Sequence, residues 1–232
     1  MDTPEPWTRA ELLGQFRAVA EAGYHDRHPF NQAMHQGLLS PEQLRAWIEN
    51  RYYYQRQIPV KDALILARLP GREERRVWVR RILYHDGTRG DEGGLEAWLQ
   101  LGEAAGIPRR RLEAGAGVLP AARDAVDSYV DFCRARPWPE AVASSLTELF
   151  APALMASRVA AIERHYPWLD PTGLRYFRDR VDAAPREAQQ ALELVARAST
   201  TREAQERAVA ALEFKCGVLW ALLDAVERTG SC

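Results

Sequence analysis

Two helical faces of this sequence carry polar residues where apolar ones are expected. Between 44 and 62, the residues spaced three and four apart are Leu44, Ile48, Arg51, Gln55, Ile58 and Asp62. Arg51 and Gln55 therefore share the face that the aliphatic residues commit to the interior. Lys215, one of only two lysines, stands in the same way between Leu212 and Leu219. Because burying an unpaired charge costs several kcal/mol, these side chains need partners or a ligand.

Two further pairs place reactive groups one turn apart on a helix. Arg81 and His85 are four residues apart, as are Tyr176 and Arg180, so each pair lies on one side of its helix. Imidazole titrates near neutral pH, which makes His85, together with His25, a candidate for proton transfer.

Two interpretations of the interior cations remain open on sequence alone. In the first, each cation pairs with an acid, for example Arg51 with Asp62 and Arg81 with Glu148. In the second, the cations exceed the interior acids and line a cavity, where arginine guanidinium groups hold the carboxylates of an anionic ligand. The segment around Glu148 adds a carboxylate, and a helix that continues through a kink at Pro152 would place Glu148 within one broad arc with three other candidates. Those are Thr147, Met155 and Arg158.

Composition excludes several classes of protein. A length of 232 residues suits one domain. The 31 basic and 32 acidic residues give a net charge of -1, which lacks the excess of positive charge that nucleic-acid binding needs. No apolar run reaches the roughly 18 residues of a membrane span, and the first residues do not resemble a signal peptide, so we expect a cytoplasmic protein. The cysteines, Cys133, Cys216 and Cys232, are too far apart for a zinc site or a disulfide framework. The sequence also lacks paired His and Glu ligand motifs and a phosphate-binding glycine loop. We therefore predict that the protein uses neither a metal nor a cofactor.

Residues typical of helix starts and ends recur along the whole chain, and the alternating strand patterns with tight turns that predict β-hairpins are missing. Capping boxes are predicted at Thr8, Ser40 and Thr200. The pattern predicts helices at about 8–22, 29–37, 41–68, 71–86, 94–105, 121–135, 139–165, 172–184, 187–198 and 201–228. We therefore predict a single all-α domain over residues 1–232, a helical bundle with a polar, cation-lined internal cavity.

These segments together resemble the pyrroloquinoline quinone synthase family, which belongs to the TENA-type, heme-oxygenase-like superfamily. The resemblance rests on motifs at 24–29, 50–62, 81–87, 91–98, 144–152, 165–168, 176–180 and 214–215. Among them are Tyr24-His25-x-x-His28-Pro29 and Tyr176-Phe-Arg-x-Arg180, and the match covers nearly the whole chain.

The resemblance implies a heme-oxygenase-like helical fold and the last step in the synthesis of a redox quinone. In that step, molecular oxygen drives ring closure and an eight-electron oxidation of a bicyclic tricarboxylate precursor, releasing hydrogen peroxide. The family uses no metal and no organic cofactor. It also implies a homodimer, with other proteins of the same pathway as partners, and neither nucleic acid nor membrane.

The resemblance also implies residue roles. It assigns catalysis to His25, His85, Tyr176, Arg180 and Glu148, with the histidines as general acids or bases. It assigns substrate binding to Tyr24, Arg51, Gln55, Arg81, Tyr129, Thr147, Met155, Arg158 and Lys215. Some family members have a histidine at the position of Met155, so a proton supplied there must come from another group in this chain.

Two other classes of function remain open, namely a different enzyme on the same fold and a non-catalytic carrier. A TENA-like hydrolase on the same fold would need a nucleophilic cysteine in the pocket, which makes Cys133 the residue to test. A di-iron oxidase would need ligands that Tyr176–Arg180 does not provide, since that stretch contains no histidine. A carrier that binds an anionic quinone without turnover would keep the cationic cavity and lack oxidation.

Overall fold

Eleven α-helices and three 3₁₀ segments form the part of the chain described by this computed structural model, residues 4–229. The α-helices are α1 (Arg9–Gly23), α2 (Pro29–His35), α3 (Pro41–Leu66), α4 (Arg72–Asp86), α5 (Gly93–Ala104), α6 (Arg109–Ala114), α7 (Pro120–Ala135), α8 (Trp138–Ala143), α9 (Ala151–His165), α10 (Arg175–Ala198) and α11 (Arg202–Thr229). The 3₁₀ segments are His25–Arg27, Ser144–Leu149 and Pro171–Leu174. Between residues 4 and 229 the only β pairing is an isolated bridge from Thr88 to Asp91, which confirms the all-α prediction.

Side-chain caps start the helices where the sequence predicts them, with one shift. Thr8 with Glu11, and Ser40 with Gln43, form complete capping boxes at α1 and α3. At α11 the cap is Thr201, whose hydroxyl accepts a hydrogen bond from the backbone N–H of Ala204 at 3.2 Å. The prediction at Thr200 was wrong by one residue, because two adjacent threonines offer the same hydroxyl.

The helix α3 lies at the centre of the bundle. It packs against α4, α5, α7, α8 and α11, and side chains from all around it are buried, including Trp47, Tyr54, Gln55 and Lys61. Trp47 also packs on Trp98 of α5, with ring centroids 5.7 Å apart. Most of α3 is therefore covered by other helices, apart from a strip that includes the exposed Val60, and its functional side chains are not restricted to one stripe.

Two predicted helix boundaries were wrong, both at prolines. The predicted break between 184 and 187 does not occur, since α10 runs through Pro185. Conversely, the predicted helix at 139–165 is divided into α8, a 3₁₀ segment and α9, and Pro152 lies in the first turn of α9. Proline is tolerated there because the first-turn N–H groups have no partner within the helix.

Among the described residues, no single helix has both the length and the apolar character that a membrane span needs. One pair of helical segments, Trp138–Leu149 with Ala151–His165, passes the same test by length and composition alone and is bent by 41°.

Candidate active site

A small cavity lies among α3, α4, α7, α9, α10 and α11, and the 3₁₀ segments His25–Arg27 and Ser144–Leu149 also contribute to its lining. Its volume is about 60 Å³. Its lining residues are Tyr24, His25, Arg51, Tyr54, Ile58, Lys61, His85, Tyr129, Ser145, Thr147, Glu148, Ala151, Met155, Tyr176, Arg180 and Leu219. All five residues predicted to be catalytic are among them. Of those predicted to bind substrate, Tyr24, Arg51, Tyr129, Thr147 and Met155 line it, whereas Gln55, Arg81, Arg158 and Lys215 do not, although all four are buried.

Two arginines and two glutamates form an ion-pair network at one side of the cavity. Arg81 donates from Nη1 to Glu148 Oε1 and from Nη2 to the backbone carbonyl of Glu187, both at 2.7 Å. Arg180 donates from Nη1 to Glu187 Oε2 at 2.7 Å, and its Nη2 lies 3.9 Å from Glu148 Oε1. The pairing of Arg81 with Glu148 that the sequence offered as one interpretation is therefore present.

The network keeps Glu148 and Arg180 charged. Burial by itself would raise the pKa of Glu148, but the neighbouring Arg81 and Arg180 outweigh it and hold that pKa below its ordinary value. Burial likewise opposes the charge of Arg180, and Glu187 raises the pKa of that guanidinium well above its ordinary value. These two arginines are thus fixed in place by acids of the protein itself.

Tyr176 and His85 occupy the same region in neutral form. The hydroxyl of Tyr176 donates to Gln55 Oε1 at 2.9 Å, and burial raises the pKa of Tyr176 to about 12. Burial, followed by the charge of Arg180, lowers the pKa of His85 well below 6.5. Both groups are therefore uncharged at neutral pH, and the His85 imidazole can accept a proton.

Lys61 lines the cavity although sequence reasoning did not select it as a site residue. Its Nζ lies 2.7 Å from Asp62 Oδ1 and donates to Ser145 Oγ at 2.8 Å. Burial opposes its charge, yet Asp62 raises the pKa of Lys61 above its ordinary value. The predicted alternative pairing of Arg51 with Asp62 is wrong, because Lys61 takes that carboxylate. Being one of only two lysines was the signal that could have identified Lys61.

Arg51 and Lys215 have no acid partner among residues 4–229. The Arg51 guanidinium lies over the ring of Tyr54, 4.1 Å from its centroid. Lys215 Nζ is buried without a hydrogen-bond partner, 3.5 Å from the ring centroid of Tyr129 and 4.1 Å from that of Tyr54. Burial, and then the charge of Arg51, lowers the pKa of Lys215 well below 10.5. The pairing interpretation thus explains Arg81 and Arg180 but leaves these two cationic residues unmatched.

Behind the cavity, Arg158 is also without an acid. It is 1% exposed and donates from Nη2 to Asn31 Oδ1 at 3.0 Å, and burial together with Arg51 lowers its pKa to about 9. The arc that was predicted to align Thr147, Glu148, Met155 and Arg158 on one helix does not form, because the first two lie in the 3₁₀ segment and the others on α9. Three of the four still line the cavity, which the break at Phe150 makes possible.

Within residues 4–229, one group of side chains has ligand atoms close enough together for a metal ion. His28, Asp224 and Glu227 place one such atom each within 4.8 Å of one another. However, His28 Nδ1 accepts the backbone N–H of Phe30 at 3.1 Å, and Nε2 lies 3.2 Å from Asp224 Oδ1. Since Nδ1 is an acceptor, the proton of the neutral ring is on Nε2, the atom that would have to bind the metal. The ring therefore suits a helix cap that joins α2 to α11, and not a metal ligand.

Neither Cys133 nor Cys216 offers a nucleophile to the cavity. Cys133 is fully buried, does not line the cavity, and has its pKa raised by burial. Cys216 is buried as well, and burial raises its pKa to about 11. A thiol with a raised pKa is a poor nucleophile at neutral pH, which argues against the hydrolase. Cys232 lies outside the described residues.

Comparison with known proteins places this geometry in context. The model of the TENA/THI-4/PQQC family matches residues 15–225. The chain is 48% identical over 222 residues to the pyrroloquinoline-quinone synthase of Pseudomonas putida, covering 96% of this chain and 88% of that protein. It is 50% identical over 213 residues to the synthase of the same name from Pseudomonas aeruginosa, covering 91% and 85%.

Solved structures share the fold at much lower identity. A TenA homolog from Pseudomonas syringae pv. tomato superposes with a TM-score of 0.76 at 14% identity, covering 98% of this chain and 99% of that one. A domain of unknown function with a heme oxygenase-like fold from Shewanella denitrificans gives a TM-score of 0.74 at 15% identity, covering 95% and 90%. The predicted heme-oxygenase-like architecture is confirmed.

Proposed function

The chain belongs to the TENA/THI-4/PQQC family, and from that membership we propose that it catalyses the pyrroloquinoline-quinone synthase reaction. One observation carries the proposal: identity of 48–50% to proteins of that name extends over more than nine-tenths of this chain. The reaction is the oxygen-dependent ring closure and oxidation of a small bicyclic tricarboxylate.

The charges around the cavity support an anionic substrate. Three buried cations are matched by acids of the protein, namely Lys61 by Asp62, Arg81 by Glu148 and Arg180 by Glu187. Arg51 and Arg158 are left without a carboxylate from residues 4–229. In a low-dielectric interior, unmatched guanidinium groups bind carboxylates strongly and often through two hydrogen bonds at once. The precursor would supply those missing negative charges.

The cavity is small for an organic substrate. Pockets for small organic ligands measure roughly 300–1,000 Å³, several times the 60 Å³ present here. The site must therefore enlarge when the precursor enters. Met155 can accommodate this enlargement, because methionine is unbranched and adapts easily. The enlargement would also separate Arg81 from Glu148 or Arg180 from Glu187, so that the arginine can bind a substrate carboxylate.

In the complex with the precursor, the neutral and the charged residues of the site would have different roles. The neutral His85 is placed to accept a proton from the reduced ring, which makes the ring electron-rich enough to reduce oxygen. The nearby cations Lys61 and Arg180 would stabilise both the resulting anion and the reduced oxygen species. Tyr176, neutral and held by Gln55, can donate a hydrogen bond or a proton.

An aerobic turnover assay tests the proposal. Purified protein of known metal content is mixed with the precursor, and quinone absorbance and hydrogen peroxide are followed together. We expect both products at catalytic rates. Tight binding without oxidation contradicts the proposal and indicates a carrier, unless Met155→His restores turnover, which would show that proton delivery at this position limits the reaction.

We also propose the cytoplasm as the location, a homodimer as the assembly and other proteins of the quinone pathway as transient partners. These proposals rest on the resemblance to the synthase family. Sedimentation equilibrium at micromolar concentration measures the assembly, and a monomer under those conditions contradicts it.

A further inference from the structure

Asn31, a fully buried residue of α2, links two residues of the candidate site. Its Nδ2 lies 2.6 Å from the backbone carbonyl oxygen of His25 and 3.0 Å from His25 Nδ1. Its Oδ1 accepts from Arg158 Nη2 at 3.0 Å. Neither the motifs of the sequence nor the roles implied by the resemblance include Asn31.

These contacts determine which way the Asn31 amide faces. A guanidinium has only donors, so the atom that faces Arg158 must be the amide oxygen. The other amide atom faces a carbonyl oxygen, which only accepts, so it must be the NH₂ group. One of its hydrogens serves the carbonyl and the other points to His25 Nδ1. That ring nitrogen is therefore an acceptor and carries no proton.

The consequence concerns the chemistry of His25. Burial, and then the charges of Arg51 and Arg158, hold the pKa of His25 well below 6.5, so the ring is neutral at pH 7. A neutral imidazole has one proton, and with Nδ1 accepting from Asn31 that proton is on Nε2. His25 lines the cavity, and none of residues 4–229 forms a hydrogen bond with Nε2.

We propose that Asn31 is a positioning residue that holds His25 in its Nε2–H tautomer, so that His25 meets the reacting molecule as a hydrogen-bond donor and not as a general base. A base would need a free lone pair directed at the substrate, and the lone pair of this ring is directed at Asn31. A fixed neutral donor instead stabilises negative charge as it develops on an oxygen. The role in turnover rests on the proposed function, whereas the tautomer does not.

Nuclear magnetic resonance of protein labelled with ¹⁵N-histidine tests the tautomer without any turnover. Long-range ¹H–¹⁵N correlations distinguish a protonated ring nitrogen from a bare one, and His25→Gln identifies the His25 signals by their loss. At pH 7 we expect a protonated Nε2 and a bare Nδ1. A proton on Nδ1, or on both nitrogens, overturns the proposal.

Asn31→Asp tests the positioning role. A carboxylate can only accept, so Nδ1 should gain a proton and the His25 signals should change to the other tautomer or to imidazolium. The matched control is Asn50→Asp: Asn50 is a buried asparagine whose amide bonds only to the backbone of Ala46, Gly117 and Leu119. The control should leave the His25 signals unchanged, and the same change in both variants overturns the specific role of Asn31.

Two substitutions of His25 connect the tautomer to the reaction. Glutamine can still donate a hydrogen bond from its amide, while leucine cannot. We expect His25→Leu to lose about 100-fold in kcat, as is typical when one such donor is removed, and His25→Gln to retain at least about tenfold more kcat than His25→Leu. Equal loss in the two variants shows that a titrating ring is needed and overturns the donor role. If the unaltered protein shows no turnover, the proposed function fails and the resonance experiment still decides the tautomer.

Discussion

Replacing Arg180 by alanine is the most direct test of the cationic cavity. Arg180 is 5% exposed and is the arginine of the ion-pair network that lines the cavity, where it pairs with Glu187 and lies near Glu148. Its removal takes one guanidinium from the site. It also leaves Glu187, whose side chain is 14% exposed, with no cation in its place. Both changes disfavour a polyanionic ligand.

The size of the effect follows from the contacts. A hydrogen bond to a charged group contributes roughly 1.5–3 kcal/mol, which corresponds to a loss of about 10- to 150-fold in affinity. The unmatched Glu187 acts in the same direction, so we expect the precursor Kd to rise by about 100-fold. Removing that carboxylate as well, in Arg180→Ala/Glu187→Ala, should recover part of the loss.

Binding is measured by calorimetry without oxygen, so that turnover does not consume the ligand. Arg178→Ala is the matched control, because Arg178 lies on the same helix, is 46% exposed and pairs with Glu163 at the surface. The control should bind the precursor with unchanged affinity. A Kd for Arg180→Ala within threefold of the unaltered protein, or an equal loss in the control, would refute the role of Arg180.

Three further predictions concern buried charge and proton transfer. Lys61→Met should lower the free energy of unfolding by about 3–5 kcal/mol, because Asp62 stays buried without its cation, and Lys61→Met/Asp62→Leu should restore most of it; equal urea midpoints for the two variants contradict this. Because the folded-state pKa values of His25 and His85 lie well below 6.5, the unfolded chain takes up protons first, and stability is lost as pH falls below about 6.5, by up to about 1.4 kcal/mol per pH unit for each histidine. In His85→Gln that slope, measured by urea unfolding between pH 7 and 5.5, should decrease by one proton; an unchanged slope shows that His85 is not buried in neutral form. Finally, His85→Ala should bind the precursor normally but stop at a later oxidation, with an intermediate visible by absorbance, and normal turnover would remove His85 from the mechanism.

Local rules explain how much of the fold could be predicted. The capping boxes at Thr8 and Ser40 depend on residues three apart, and they occur as predicted. Boundaries at Pro152 and Pro185 were wrong because a proline is compatible with the first turn of a helix and, in a packed bundle, with its interior. Neighbouring helices decide between these outcomes, and their positions cannot be read from a local window.

In the candidate site, too, some residues could be identified from the sequence and others only from the packing of the helices. Arg51, Gln55, Arg81, Arg180 and Lys215 were identifiable because each interrupts an apolar face. Lys61 escaped this reasoning because α3 packs against five other helices, so that a residue off the expected stripe is also buried. Asn31 and Glu187 were not identified from the sequence, because nothing in their local patterns distinguishes them from other asparagines and glutamates. Their roles become visible only through their partners in the folded chain.

Periodicity, motif spacing and residue type can all be read from a sequence, and here they predict the helical class, the family and the excess of interior cations. Which of these cations are matched by an acid depends on how the helices pack. The tertiary structure joins Arg180 to Glu187 along one helix, Arg81 to Glu148 across 67 positions, and Arg158 to Asn31 across 127. Protonation was decided in the same way, because the tautomer of His25 depends on an amide that Arg158 orients from a distant helix. Pairing and protonation depend on distances between elements, and those distances exist only in the folded chain.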